Sequence, residues 1–226
     1  MCGRMAITLP HDAMAQLFEA APANDLPEVP NYNLCPTNTL AVVTADGGAR
    51  RHRPMRWGFV PAWYKVPNGG PLLINARSKT VAEKPAYLAA IRARRCLVPC
   101  AGFYEWDRAD PKKPLPWFVA RTDGQPLVMA GLWQDWERDG QRLTGVAVLT
   151  CAANPFMRRV HDRLPVILSP ADWPLWLGEA GHGAATLMHA VADDALVMHR
   201  VGTEVNSNRT SGPGLMAPLD PPAPLS

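Results

Sequence analysis

The sequence predicts one α+β domain of twisted mixed or antiparallel β-sheets, barrel-like and flanked by short helices. Three observations carry this. Runs rich in β-branched and aromatic residues dominate the second half of the chain, at about 95–107, 116–121, 127–136, 143–151 and 163–168. Asp139-Gly140, between two of these runs, is a hairpin signal, because a two-residue turn needs positive φ at both positions. The chain has 226 residues, of which 47% are hydrophobic and 19% charged, so it can bury a real core and is not a disordered polymer.

In chain order, 11–20 places Met14, Leu17 and Phe18 at i, i+3 and i+4, which predicts a short amphipathic helix. Residues 21–38 are rich in proline and asparagine and read as loop. Residues 40–44 form a short apolar strand, and the basic stretch 50–57 a second. The sequence PNGGP at 67–71 is a turn. Residues 82–92 have helical composition, with Pro85 at a break or a first turn. After the strand-rich region, 154–160 opens on Asn-Pro and reads as a short helix, 170–177 as another, and 195–202 as a closing strand. The segment 213–226 is rich in proline and small residues and is expected to be a disordered tail behind a domain spanning 1–212.

Composition narrows the function classes. No apolar run approaches the roughly 20 residues of a membrane helix, and the first residues lack the basic and apolar regions of a signal peptide. A cytoplasmic protein without membrane partners is the expectation. Five cysteines, at 2, 35, 96, 100 and 151, do not look like a disulfide framework. Cys96 and Cys100 have a loosely metal-like spacing, but they bracket a strand-like Leu97-Val98-Pro99 and no second half-site follows, so no metal or cofactor is expected. The formal net charge of +3 does not announce a nucleic-acid binder. Arginines nevertheless cluster at 50, 51, 53 and 56, at 92, 94 and 95, and at 158, 159 and 163, either as solvated surface or as phosphate contacts.

Four stretches set polar residues among apolar or turn-like neighbours: MCGR (1–4), INAR (74–77), GFYEW (102–106) and VHDRLP (160–165). If Met1 is trimmed, Cys2 carries a free α-amine and a thiol on adjacent carbons, an arrangement one cysteine offers only at a terminus. Strand alternation puts Phe103 and Glu105 on one face and Tyr104 and Trp106 on the other. Glu105 then lies at an exposed edge or in a cleft that raises its pKa. His161 is either structural or a proton-transfer group suited to neutral pH. Asn75 can hold a hydroxyl or carbonyl and Arg77 a phosphate. Together the set suggests carbonyl chemistry on a phosphorylated polymer. A 1,2-aminothiol condenses with an aldehyde to an imine, and the thiolate then closes a thiazolidine ring. The aldehyde found in nucleic acid is the ring-opened sugar of an abasic site.

MCGR, WGFVPAW (57–63), NAR (75–77), RCLVPCAGFYEW (95–106), AGLW (130–133), the LT-C-AN stretch (149–154) and HDRLPVIL (161–168) resemble, in order, the motifs of the SRAP family, the SOS response-associated peptidases or abasic site processing proteins. The resemblance runs to about Gly212. It implies that mature Cys2 crosslinks to the abasic sugar in single-stranded DNA and so shields the lesion, with Asn75, Glu105 and His161 as further catalytic residues. It implies DNA contacts from Gly3, Arg4, Arg77, Trp106 and Arg163. Weak abasic-site lyase activity, self-removal of Met1 and a monomeric state belong to the same expectation. Lys79 stands where the family usually has an acid, and Leu164 where it usually has methionine. Two other readings fit parts of the sequence. An N-terminal-nucleophile amidohydrolase of the glutaminase type also begins Met-Cys-Gly, and a non-covalent single-stranded-DNA-binding module needs no reactive Cys2.

Overall fold

The computed structural model describes residues 2–219. In chain order its elements begin with β1 (Met5–Ile7), α1 (His11–Phe18), β2 (Ala20–Pro22), β3 (Asn31–Leu34), β4 (Thr39–Asp46), β5 (Ala49–Trp57), β6 (Asn75–Arg77) and α2 (Leu88–Ala93). They continue with β7 (Arg95–Cys100), β8 (Gly102–Asp107), β9 (Leu115–Arg121), β10 (Leu127–Arg138), β11 (Gln141–Ala152), β12 (Arg163–Pro165), α3 (Trp173–Leu177) and β13 (Leu196–Arg200).

Two sheets result. One has the order β13-β9-β8-β1-β3 and the other β12-β11-β10-β7-β4-β5-β2. In the second, β5 also pairs in parallel with β11, with Arg56 opposite Gly145 and Trp57 opposite Val146. That pairing closes β11-β10-β7-β4-β5 into a barrel and leaves those strands without an open edge. Gly145 permits the closure, because a Cβ there would run into the Gly58 carbonyl. The Asp139-Gly140 hairpin forms between β10 and β11, with φ of 51° and 75° at the two positions, the doubly left-handed geometry of a tight hairpin turn. Fully buried Trp57, Trp136 and Trp176 anchor the core, and each indole N–H donates to a carbonyl, that of Ile74, Tyr64 and Cys96 respectively.

Several local expectations change in the tertiary context. The expected loop at 21–38 contains β3, which the proline-rich composition hid; it is a strand because it pairs antiparallel with β1. The single run at 95–107 breaks at Ala101 into β7 and β8, which belong to different sheets. The helix expected over 82–92 begins only at Leu88, after turns. The strand at 163–168 shortens to β12, beyond which Ile167 makes one bridge to Met129. Of the tail expected over 213–226, Pro213–Met216 forms a 3-10 turn with Leu215 buried, packed in a small second core with Ala6, Tyr104, Phe118, Val201 and Val205. Residues 220–226 of that segment lie outside the described residues.

The position of β1 matters most for function. It lies between β8 and β3, with Met5 opposite both Phe103 and Leu34. The Tyr104 N–H donates to the Arg4 carbonyl at 2.9 Å, so the pairing extends toward the terminus. The residues just before β1 are thereby drawn into the core.

Candidate active site

Cys2 is only 1% exposed and belongs to the main core. Burial, then the neighbouring Cys100 and Glu105, push its thiol well above the usual range, while the Arg4 backbone N–H pulls the other way. Cys96 and Cys100 are themselves buried on β7 as apolar packing residues.

Asn75 reaches Cys2 from β6. That three-residue strand pairs in parallel with β11, Val148 opposite Asn75 and Thr150 opposite Arg77. Alternation sends Ala76 into the core and puts Asn75 and Arg77 on the other face. Asn75 Nδ2 donates to the Cys2 carbonyl at 2.8 Å. Asn75 Oδ1 is buried and has no hydrogen-bond partner among the described residues. A buried amide acceptor in that state is poised for an ammonium or hydroxyl donor. The Tyr87 hydroxyl donates to the Asn75 carbonyl at 3.2 Å, and its ring stands edge-on to Phe59.

Glu105, on β8, shares the Phe103 face and is 2% exposed, so the edge alternative is excluded. The Trp106 backbone N–H donates to its Oε1 at 3.2 Å. Its charge acts on both the Cys2 thiol and the His161 ring, so one carboxyl links the two. His161 follows the 3-10 turn Met157–Arg159, and its own N–H donates to the Met157 carbonyl. The Arg163 backbone N–H donates to His161 Nδ1 at 2.9 Å, which in the neutral ring assigns the proton to Nε2. Exposed Asp162 also lies 2.9 Å from Nδ1, a contact that attracts only when the ring is protonated. Burial moves His161 below its ordinary pKa; Glu105 and Asp162 push back and Arg163 does not.

Two clefts flank this centre. One, of about 310 Å³, is lined by Gly3, Arg4, Glu105, Trp106, Arg108 and Asn206 among others. The other, of about 360 Å³, includes Trp63, Asn75, Arg77, Lys84 and Tyr87. Burial, then the nearby Arg77 charge, pull the Arg163 guanidinium below its ordinary value. Two mutually repelling guanidinium groups suit a polyanion. Arg4, in contrast, turns inward: its Nη1 donates to Asn33 Oδ1 and to the Val205 carbonyl, each at 2.6 Å. A larger cavity of about 550 Å³, with Arg92, Arg95 and His182 in its lining, shares no residue with either cleft.

Catalytic candidates Cys2, Asn75, Glu105 and His161 therefore converge from four separate segments: the residues before β1, β6, β8 and the connection ahead of β12. Most of the arginine clusters do not join them. Arg50 pairs with Glu179, Arg53 lies over Trp133, and Arg56, Arg94, Arg95, Arg158 and Arg159 donate to backbone carbonyls. Tyr87 and Asn33 escaped sequence reasoning because their contacts to Asn75 and Arg4 have no local spacing signal. Trp63, 57% exposed in the structure, carried a sequence signal only as the last residue of WGFVPAW.

A family model described as SOS response associated peptidase (SRAP) matches residues 1–208. The abasic site processing protein YoqW of Bacillus subtilis (strain 168) is 31% identical over 223 residues, covering 96% of this chain and 99% of that protein. The abasic site processing protein HMCES of Rattus norvegicus is 29% identical over 272 residues, covering 97% of this chain and 76% of that protein. A crystal structure of a Bacteroides thetaiotaomicron protein shares the fold with a TM-score of 0.84, at 19% identity, over 96% of this chain and 99% of that one. With the terminal motif, the barrel and a match across nearly its whole length, the chain belongs to the SRAP family.

Proposed function

We propose that this protein processes abasic sites in single-stranded DNA by trapping them on Cys2 as a thiazolidine. The observation that carries the reading is the junction at Cys2: Asn75 fixes its carbonyl, and Glu105 acts on both its thiol and His161. The names of the relatives support the substrate. The chemistry requires loss of Met1, by the protein itself or by an aminopeptidase; Met1 lies outside the described residues.

The freed α-amine of Cys2 attacks C1′ of the open-chain sugar. The carbinolamine loses water to give an imine. The Cys2 sulfur then adds to C1′, the thiol proton leaves to a base, and the former imine nitrogen gains a proton. The net release is one water. Asn75 Oδ1 orients the amine or a sugar hydroxyl. His161, with Nε2–H in its neutral form, stabilises the opening sugar by donating a hydrogen bond to the ring oxygen of the cyclic hemiacetal, and Glu105 carries the hemiacetal hydroxyl proton to that oxygen and moves protons at the amine and imine. Burial disfavours the Cys2 thiolate, so removal of the thiol proton is concerted with attack. Arg77 and Arg163 hold flanking phosphates, and Trp106 stacks on a neighbouring base. Gly3 lines the cleft beside Glu105, and Arg4 supports Trp106, its guanidinium 5.9 Å from the ring centroid. The same imine permits slow β-elimination, hence weak lyase activity. A DNA-associated cytoplasmic monomer suffices for every step.

The test mixes single-stranded DNA bearing one abasic site with the protein and with Cys2→Ala, then denatures. The expected result is a shifted band with the parent protein alone, whose intact mass equals protein plus DNA minus one water and lacks Met1. No band from a sample shown to have lost Met1 overturns the covalent reading. A glutaminase signal in that sample transfers the nucleophile to amide chemistry.

A further inference from the structure

We propose that the cleft beside Glu105 is completed as a nucleotide subsite by Asn206 and Arg108, Asn206 by orienting the Trp106 ring and Arg108 by binding the adjacent phosphate. This rests on the reading of Trp106 as a stacking platform for DNA.

An indole is a useful platform only if its plane is held. Trp106 is half-buried near the end of β8 and packs against the second core, and its polar edge is tied as well. Here Trp106 Nε1 donates to Asn206 Oδ1 at 2.7 Å, across 100 residues of sequence. Asn206 is itself fixed. It ends the 3-10 turn Thr203–Asn206, whose Val205 is buried in the second core. The turn is clamped again by Asn33, whose Nδ2 donates to the carbonyls of Ser207 at 2.9 Å and Thr210 at 2.7 Å. Asn33 Oδ1 accepts from Arg4 Nη1, and the same nitrogen donates to the Val205 carbonyl. The Arg4 guanidinium lies at the Trp106 ring. Arg4, Trp106 and the 203–210 segment are thus one hydrogen-bonded unit, anchored from beneath by an apolar residue.

Locking the ring lowers the ordering cost of stacking a base on it. Arg4 has its Nη1 committed inward, which limits what it offers to phosphate. Arg108 has no hydrogen bond or ion pair within the described residues, and it lines the same cleft from the turn between β8 and β9. With Trp106 below and Arg108 at the rim, the cleft presents a π-face and a cation, the pair that recognises one nucleotide of a single strand. Neither residue touches the reacting carbon. Asn206 is a positioning residue, and Arg108 a binding residue for the nucleotide next to the lesion.

The experiment separates binding from chemistry. The probe is single-stranded DNA with a tetrahydrofuran abasic analogue, which has no aldehyde, and 2-aminopurine as the neighbouring base. Anisotropy reads affinity, and 2-aminopurine quenching at saturating protein reads stacking. The variants are Asn206→Leu, Trp106→Phe, their double mutant and Arg108→Gln, each first shown to keep the parent thermal midpoint. Asn206→Leu is expected to weaken affinity on the order of tenfold and to remove most of the quenching at saturation, as loss of one stacked base does. Trp106→Phe, which loses the indole N–H, gives a similar loss, and the double mutant is no worse than the more affected single variant. Arg108→Gln is expected to lower affinity and to reduce the slope of log K against log salt by about 0.7, one phosphate on a single strand. With a true abasic site, Asn206→Leu and Arg108→Gln are expected to slow crosslinking at subsaturating DNA in proportion to the lost affinity, with the DNA concentration for half-maximal rate raised more than the maximal rate is lowered. Full quenching and unchanged affinity in Asn206→Leu overturn the positioning role, and an unchanged salt slope in Arg108→Gln overturns the phosphate contact. A parent protein that binds the analogue and quenches 2-aminopurine, yet forms no crosslink, sinks the covalent reading and leaves the subsite standing.

Discussion

The side-chain amide of Asn75 donates to the main-chain carbonyl of Cys2 at 2.8 Å, joining residues 73 positions apart. This bond fixes the Cys2 carbonyl just ahead of β1. It also leaves Asn75 Oδ1, buried, facing whatever donor arrives.

Asn75→Ala is therefore expected to slow crosslinking by about 10- to 100-fold at saturating abasic DNA, the size of a lost positioning contact. Stability falls by only about 1 kcal/mol, as for one hydrogen bond. Single-turnover gels and chemical denaturation measure the two. A large stability loss with little change in rate contradicts a role at the reacting centre.

His161 should impose the lower of two pH limbs on the crosslinking rate. Burial holds its pKa below the ordinary value, so the neutral ring, held in place by the Arg163 N–H at Nδ1, predominates at neutral pH; acidification past the ordinary imidazole range adds a proton at Nδ1 and displaces that contact. The rate of the parent protein then falls on the acid side. In His161→Gln the rate drops by about 100-fold and that limb disappears. The upper limb, from the Cys2 amine and thiol, persists.

Arg77 and Arg163 make affinity salt-dependent in proportion to the phosphates they bind. Replacing either with alanine should lower the slope of log K against log salt by about 0.7, with the weakening much the same for every DNA sequence. Titrations at four salt concentrations settle it. A slope equal to the parent's in both variants removes these arginines from the backbone path.

His52 predicts acid sensitivity of the fold. It is fully buried on β5, its ring centroid 5.3 Å from that of His11, and burial followed by the His11 charge lowers its pKa to about 4. Between that value and the unfolded value of about 6.5, the unfolded chain holds a proton that the folded chain does not. Stability is complete above about pH 6.5 and is lost as pH falls toward 4, in total about 3 kcal/mol from this group. Urea titrations at stepped pH should show the decline, and His52→Phe should remove most of it.

Gly145 tests barrel closure. A methyl group there meets the Gly58 carbonyl, so Gly145→Ala forces β5 away from β11 and should cost on the order of 3 kcal/mol. A melting temperature equal to the parent's in Gly145→Ala contradicts the closed barrel.

Some of this was legible in the sequence for definite reasons. The 10–11 hairpin announced itself through Asp139-Gly140, since few residues adopt two consecutive positive φ angles. Alternation along 102–106 correctly divided Phe103 and Glu105 from Tyr104 and Trp106: Phe103 lies in the main core, and Tyr104 and Trp106 pack in and against the second. Strand β3 was hidden, because it lies in a proline- and asparagine-rich stretch that reads as loop, and only pairing with β1 makes it extended. The arginine clusters misled in a different way: composition counts charges and says nothing of their direction. Arg50, Arg95 and Arg158 bind protein acceptors, and Arg163 stands by the centre.

By itself the sequence supplied the groups for the proposed chemistry. Once Met1 is lost, a cysteine at the second position holds both an amine and a thiol, and that is a covalent fact independent of folding. Tertiary structure decided everything that depends on distance. It drew the terminus into the core beside Glu105, set Asn75 against Cys2 through a three-residue strand, and turned Arg4 inward to Asn33. Such contacts join residues dozens to hundreds of positions apart. Periodicity is blind to them, because what creates them is the shared burial of the two sheets and not the conformational preference of any one segment.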